Sequence, residues 1–348
     1  MRRIAQKIWH QKIQKIEKKS IMDNDGITNR VAFGKPGIYR YDVLFQDSSM
    51  QTFLAKRKSK KIIVNGIRFL SRHNLRIGLL LIKNHTVFGF NNSYIRETFL
   101  YKNFDISLKN YLIPVYGEYQ NRLTDNYILM LKYIPSSRKV TAADYKTVFD
   151  AITDFHKMYY GKSEFAAKCK LNHYSAKNYS DCKAVLLAMF DELESSDRSA
   201  FHPVQIHKIK KFLQNIDKEY LPFHKTLTHN DFSPRNIFCV GDKLYIYDWE
   251  LACYQNPEHD LIEFLVSVIH ETEDEQIYEM IRYFKKILLE KLGIEIESQQ
   301  YAQILRFNAL EYAVNRLSLL RLVNKTFKQS MIDQMTMNMS RLMDIFEI

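Results

Sequence analysis

The sequence predicts an α+β fold of two lobes, a β-rich N-terminal lobe and a mostly α-helical C-terminal lobe, and three observations predict it. The chain has 348 residues, long for one core and suited to two. Between residues 26 and 58, short runs rich in β-branched and aromatic side chains alternate with turn signals. From residue 143 onward apolar residues instead recur at three- and four-residue spacing. The composition is that of an ordinary globular protein, 46% apolar and 26% charged, but only 10 residues are glycine, so a glycine-rich nucleotide loop has little to be built from.

Taken in order, residues 1–21 read as a basic helix with Ala5, Trp9, Ile13 and Ile16 on one stripe, packed on the N-terminal lobe. Residues 31–33 and 38–45 read as a hairpin about Gly34-Lys35-Pro36-Gly37. Asp47-Ser48-Ser49 then turns the chain into a strand at 52–56. A helix is expected over 61–71, and another over 94–101, where Ile95 and Phe99 keep helical spacing. The continuous apolar run 127–134, stopped by Pro135, is a buried strand. Helical patterns then cover 143–160, 180–194, 205–218, 260–270, 275–289 and 300–346. The expected division is a basic N-terminal helix (1–21), an N-terminal nucleotide-binding lobe (22–133) and a C-terminal catalytic and substrate-binding lobe (134–348).

The net charge of +12 is concentrated in front: residues 1–76 hold 18 Lys and Arg against 5 Asp and Glu. Such a front suits either a solvated nucleotide-binding lobe or a nucleic-acid- or membrane-surface-binding module. No nucleic-acid motif accompanies it, so no specific nucleic acid is expected. The cysteines at 169, 182, 239 and 253 form no Cys-x-x-Cys pair and read as reduced thiols of a cytoplasmic protein. The longest apolar stretch near 77–82 is too short to span a bilayer, and no membrane insertion is expected.

One stretch carries chemistry. Leu227-Thr-His-Asn-Asp-Phe-Ser-Pro-Arg-Asn-Ile-Phe is followed by Tyr-Asp-Trp-Glu at 247–250. Between Asn236 and Asp248 the pattern is strand, Gly241-Asp242-Lys243 turn, strand. With Val240 facing Leu244, the same register sets Asn236 opposite Asp248, which joins an amide oxygen and a carboxylate, hard ligands that suit Mg²⁺. Asp231 lies on the loop just before and is placed to accept or orient the proton of an attacking hydroxyl.

These residues resemble the His-x-Asp-x4-Asn loop, hairpin and Asp-Trp/Phe-Glu segment of the aminoglycoside phosphotransferase and choline kinase superfamily. The resemblance runs on through Leu251-Ala252 to Pro257-x-x-Asp260-Leu261. It implies a protein-kinase-like fold and an ATP- and Mg²⁺-dependent transfer of the γ-phosphoryl group to a small-molecule hydroxyl acceptor, whether an aminoglycoside, a choline-like alcohol or a sugar. It implies Asp231 as the catalytic carboxylate, Asn236 and Asp248 as magnesium ligands, and His229 and Asp260 as supports.

The resemblance also implies a strand lysine for the ATP phosphates and a helix glutamate that pairs with it. Lys56, in Phe-Leu-Ala-Lys, is the choice, with Lys83 as rival. Glu97, in a Glu-x3-Tyr run, is the glutamate, and Met130, Leu131, Lys132 and Tyr133 fall at the interlobe hinge where adenine would bind. The Gly34–Gly37 turn fits a phosphate loop or a plain hairpin equally. Asp-Trp-Glu in place of Asp-Phe-Gly, with no Ala-Pro-Glu after it, sets the chain apart from protein kinases. A nucleotide-binding scaffold without turnover is the competing expectation. An acidic run over 258–275 further suggests a carboxylate-lined entrance for a cationic acceptor.

Overall fold

Alternation along three strands builds the first lobe. In β2 (Gly37–Phe45), β3 (Met50–Lys58) and β5 (Asn126–Lys132), every second side chain turns to one face. Tyr41, Val43, Phe45, Phe53, Ala55, Ile128 and Met130 thus form one buried layer. With β1 (Ile13–Ser20) and β4 (Val115–Asn121) they make a five-stranded antiparallel sheet of order β1-β2-β3-β5-β4. The opposite face of β3 carries Leu54, Lys56 and Lys58 toward the second lobe. The computed structural model describes residues 1–20, 37–84, 92–135, 137–195, 201–220, 224–324 and 329–348. The Gly34–Gly37 turn therefore lies largely outside the described residues.

The N-terminal segment corrects the expected helix over 1–21. Only α1 (Arg2–Trp9) is helical, and Ile13–Ser20 is the edge strand β1. A register shift between Ile13 and Lys15 sets Ile13 opposite Phe45 and Ile16 opposite Val43. That irregularity lets residues three apart face the same layer, which in sequence imitates a helical stripe. Trp9 caps the layer, its ring 5.2 Å from Phe53.

After β3 come two helices, α2 (Lys61–His73) and α3 (Leu75–Asn84), then α4 (Ser93–Asn103). The inserted helix is longer than expected and has a helical partner, so the rival strand ending at Lys83 is instead α3. Gly78 lets the two approach: a Cβ there would stand 2.6 Å from the Ser71 Cα and 1.9 Å from its hydroxyl.

The second lobe gathers around α5 (Tyr145–Tyr159), which buries Val148, Phe149, Ile152 and Phe155. The next elements are α6 (Ser163–Lys168), β7 (Asn172–His173), α7 (Ala176–Glu194) and α8 (Pro203–Glu219). β6 (Arg138–Lys139) pairs with the hairpin of β9 (Ile237–Val240) and β10 (Lys243–Ile246), and β8 (Thr226–Thr228) pairs with β11 (Cys253–Gln255). The lobe closes with α9 (Glu258–Val268), α10 (Asp274–Leu292) and α11 (Ser298–Glu311), a π-helical turn (Tyr312–Leu317), α12 (Ser318–Asn324) and α13 (Gln329–Ile345). The periodic stretch 300–346 is thus several elements rather than one. Among the described residues no helix is long and apolar enough to cross a membrane.

Two glycines of the inserted pair separate packing from propensity. A Cβ at Gly66, in α2, meets nothing within 4 Å. Gly66→Ala is expected to raise stability by about 0.5–1 kcal/mol, because alanine restricts the unfolded chain and favours helix. Gly78→Ala is expected to cost about 1–3 kcal/mol, since backbone must move to admit the methyl. Urea unfolding of both variants checks the ranking, and equal effects would mean that α2 and α3 do not pack as described.

Candidate active site

The cleft between sheet and second lobe collects charge. Lys56, on the cleft face of β3, lies 2.8 Å from Glu97 Oε2 and 3.8 Å from Glu250 Oε2, and its ammonium also contacts Asp248 Oδ1. Lys58, two residues on and on the same face, contacts Glu97 at 2.8 Å and Glu250 at 2.5 Å. Both lysines and Glu97 are buried. Lys83 is exposed on α3, so the structure brings Lys56 to Glu97 and leaves the rival outside.

This cluster is short of positive charge: two ammonium groups face three carboxylates. Glu97 absorbs most of the benefit. Burial alone would raise its carboxyl, but Lys56 and Lys58 hold it down at about 2. Asp248 bears the shortfall, pushed up to about 6 by burial and by Glu250 and Glu97 against the pull of Lys56. Carboxylate oxygens of Glu97, Asp248 and Glu250 lie within 4.8 Å of one another, and among the described residues Glu97 Oε1 and the buried Tyr101 hydroxyl have no hydrogen-bond partner. Hard oxygen donors with uncompensated negative charge suit a divalent cation, so the residues present fit the expected Mg²⁺.

The hairpin delivers Asp248 by a route one residue different from the expected one. Val240 pairs with Lys243 and Ile237 with Ile246, about a two-residue Gly241-Asp242 turn with Gly241 at φ +57°. A two-residue turn advances the register by one, so Asn236 stands opposite Tyr247, whose amide donates to the Asn236 carbonyl at 3.0 Å. Asp248 follows in a left-handed conformation, φ 67°. Trp249 beside it is fully buried against Phe155 and His229, at ring distances of 4.7 and 4.6 Å.

Asp231 lies on the loop after β8. The Asn236 amide donates to its backbone oxygen at 2.8 Å and to Oδ2 at 3.0 Å, which leaves the Asn236 oxygen as the atom for a cation. Arg316 Nη2 lies 2.9 Å from Asp231 Oδ1, and Arg235 Nη2 lies 3.5 Å from it. Burial would raise the Asp231 carboxyl, but Arg316 first and Arg235 second hold it at about 2. Arg316 belongs to the π-helical turn, a feature often found at functional sites.

Asp260, buried in α9, accepts from the amides of His229 at 2.9 Å and Asn230 at 3.0 Å and from His156 Nε2 at 3.0 Å. His229 Nε2 donates to the Tyr247 carbonyl at 2.8 Å, and burial lowers its pKa, so the neutral ring ties the Asp231 loop to the hairpin's end. Glu263 accepts from the Phe232 amide at 2.6 Å. Glu258, Asp260 and Glu263 are all buried, so this part of the acidic run is framework and forms no open entrance.

At the hinge, Met130 and Leu131 pair with Ala55 and Leu54 on one side and with Gly117 and Val115 on the other. The Lys132 amide donates to Pro114 O at 2.8 Å, so the first residue past the ladder is Tyr133. Leu54, Leu131, Ile134, Phe238 and Tyr245 join one apolar cluster between sheet and hairpin.

Residues 163–292, which hold the Asp231 loop, the hairpin and α9, match the phosphotransferase enzyme family. Across nearly the whole chain the fold is that of known kinases. LicA in complex with AMP superposes at TM-score 0.53 with 14% identity, over 99% of this chain and 96% of that one. Choline kinase LicA from Streptococcus pneumoniae gives 0.52 and 11%, over 99% and 98%. The macrolide 2'-phosphotransferase MphH from Brachybacterium faecium gives 0.51 and 11%, over 96% and 97%. No curated protein matches the chain by sequence. The fold is therefore the two-lobed, kinase-like α+β fold, and the segment that holds the Asp231 loop and the hairpin carries the phosphotransferase family match.

Glu258 yields a pH test of this framework. Among the described residues neither of its carboxylate oxygens has a hydrogen-bond partner, and burial pushes its pKa from 4.5 up to about 7. The folded state holds this proton more tightly than the unfolded chain. The group's contribution is thus intact below pH 4.5 and is lost as pH rises through 7. Glu258→Gln is expected to remove that loss, gaining roughly 3 kcal/mol over the parent above pH ~8 and little near pH ~4. Thermal unfolding across that window checks it, and a gap independent of pH would contradict it.

Proposed function

We propose that this protein is a phosphotransferase that moves the γ-phosphoryl group of ATP, bound with Mg²⁺, to a hydroxyl of a small molecule. The observation that carries the reading is the convergence of Asp231, Asn236, Asp248 and the Lys56–Glu97 pair on one cleft. Asn236 and Asp248 would hold the metal. When bound, the metal neutralises charge on the phosphates. Lys56, steered by Glu97, is placed for the phosphate oxygens, and the backbone from Tyr133 onward together with the Leu54–Leu131–Tyr245 cluster offers a hinge edge and an apolar slot for adenine.

Asp231 orients the acceptor. With a pKa near 2 it is ionised at neutral pH and can only accept hydrogen bonds, yet it is a weak base. That suffices for a loose transition state, in which the acceptor hydroxyl needs little activation and loses its proton late. The acceptor oxygen–phosphorus bond forms, the bond from the γ-phosphorus to the bridging oxygen breaks, and the hydroxyl proton passes to Asp231. Arg316 holds the carboxylate in place and sets positive charge beside the transferring group. An aminoglycoside, a choline-like alcohol or a sugar fits this chemistry as acceptor. The four buried free cysteines suit a reducing cytoplasm.

ADP release across a panel of hydroxyl-bearing metabolites and aminoglycosides tests the reading. Asp231→Asn is expected to lower turnover by roughly 10²–10⁴-fold while MgATP still binds. Near-normal turnover in the folded variant would exclude Asp231 from the reaction. In the same assay Lys56→Met is expected to abolish activity or raise the ATP requirement steeply, with Lys83→Met nearly silent. The reverse order would move the phosphate lysine to α3.

A further inference from the structure

Between Asp47 and Glu97 the chain contains no acidic residue, yet it carries Lys56, Arg57, Lys58, Lys60, Lys61, Arg68, Arg72, Arg76, Lys83 and Arg96. Lys56 and Lys58 serve the cleft. The middle of this stretch is the α2–α3 pair, which the proposed reaction does not use. α3 is apolar on both faces. Ile77 and Leu81 are buried in the core, whereas Leu75 and Leu79, one turn apart on the outer side, are 67% and 59% exposed. Ile82 continues the stripe at 55%, and Val64 on α2 is 48% exposed. An apolar stripe on the outer side of a helix whose inner side is already in the core suits a second apolar phase, and this one has water there.

The charges beside the stripe choose among the phases that would cover it. Arg68, Arg72, Arg76 and Lys83 are exposed, and among the described residues none of them has an ion pair. A second copy of the chain would press cations against cations. A nucleic acid would meet the cations but offer nothing to the aliphatic stripe. An anionic bilayer satisfies both, with acyl chains for the leucines and headgroup phosphates for the arginines. We infer that the α2–α3 pair is a peripheral docking surface for anionic lipid membranes, with Leu75 and Leu79 dipping into the headgroup boundary and Arg72 and Arg76 paired with phosphates. α3 lies along the surface and does not span it. The pair is inserted between the strand of Lys56 and the helix that carries Glu97, so docking fixes the cleft's orientation to the membrane without occupying it.

Sedimentation of the full-length protein with vesicles decides the matter, and it stands independently of the phosphotransfer reading. The protein is expected to sediment with equimolar phosphatidylcholine–phosphatidylglycerol vesicles, to stay in solution with phosphatidylcholine alone, and to be released by high salt. Each cation near an anionic surface contributes about fivefold to partitioning, so Arg72→Gln with Arg76→Gln should lower it by at least about tenfold. Leu75→Asp with Leu79→Asp should abolish it. The altered side chains are exposed, and thermal unfolding of each variant confirms that the fold is kept. Failure to bind anionic vesicles, equal binding to neutral ones, binding unaffected by the leucine change, or retention only on RNA or an acidic protein would each overturn the inference.

Discussion

The ion cluster in the cleft is the interaction on which the rest of the structure depends. It ties a strand of the first lobe, the helix that follows the inserted pair and the end of the second lobe's hairpin to one point. Buried charges of this kind are retained only when paired, and removing one partner leaves the others uncompensated at a cost of several kcal/mol. Here the pairing is complete for the lysines and incomplete for the carboxylates. The same deficit that leaves the carboxylates in tension with one another is the one that the proposed cation would relieve. Lys56 is thus a structural clamp between lobes in the free protein and a phosphate ligand in the proposed complex, and Asp248 is the group whose partner changes.

Asp231 is held by a different kind of network, one of backbone amides and fixed dipoles. Asp260 gathers the amides of His229 and Asn230, Glu263 gathers that of Phe232, and neutral His229 bonds the hairpin's last carbonyl. Each buried carboxylate satisfies loop donors that would otherwise stand unpaired, which fixes the loop without a regular element. Trp249 packs beneath both loop and hairpin, so the Asp-Trp-Glu spacing joins Asp248 to the hydrophobic core. Precision at Asp231 therefore comes from the framework of α9 and not from the loop itself.

Where residues act through local spacing, the sequence is a good guide. The 229–261 segment announces its loop and hairpin because each is placed by neighbours a few positions away, whereas Asp260 acts on amides 30 and 31 positions back and is legible only through the family resemblance. The hairpin register departs by one from the expected register because two- and three-residue turns differ only in whether Lys243 belongs to the turn. The N-terminal strand reads as helix because a shifted register repeats the spacing of a helix. Lys58 is legible in principle, as a second lysine on the same strand face as Lys56, and so is Glu250, inside the motif itself. Arg316 is not: it reaches Asp231 from a π-helical turn beyond the matched segment, and only tertiary packing brings the two together. The acidic run at 258–275 misleads because charge in a sequence does not reveal burial.

The central claim is that Asn236 and Asp248 form a metal cradle through which the nucleotide is held. Calorimetric titration of ATP with and without Mg²⁺, on the parent protein and on Asp248→Asn, tests it most directly. The account predicts that Mg²⁺ strengthens ATP binding strongly in the parent and hardly at all in the variant, while metal-free binding is at least as tight in the variant, which has lost the carboxylate that competes with phosphate for Lys56. A variant that keeps the full Mg²⁺ dependence would place the metal elsewhere and contradict the account.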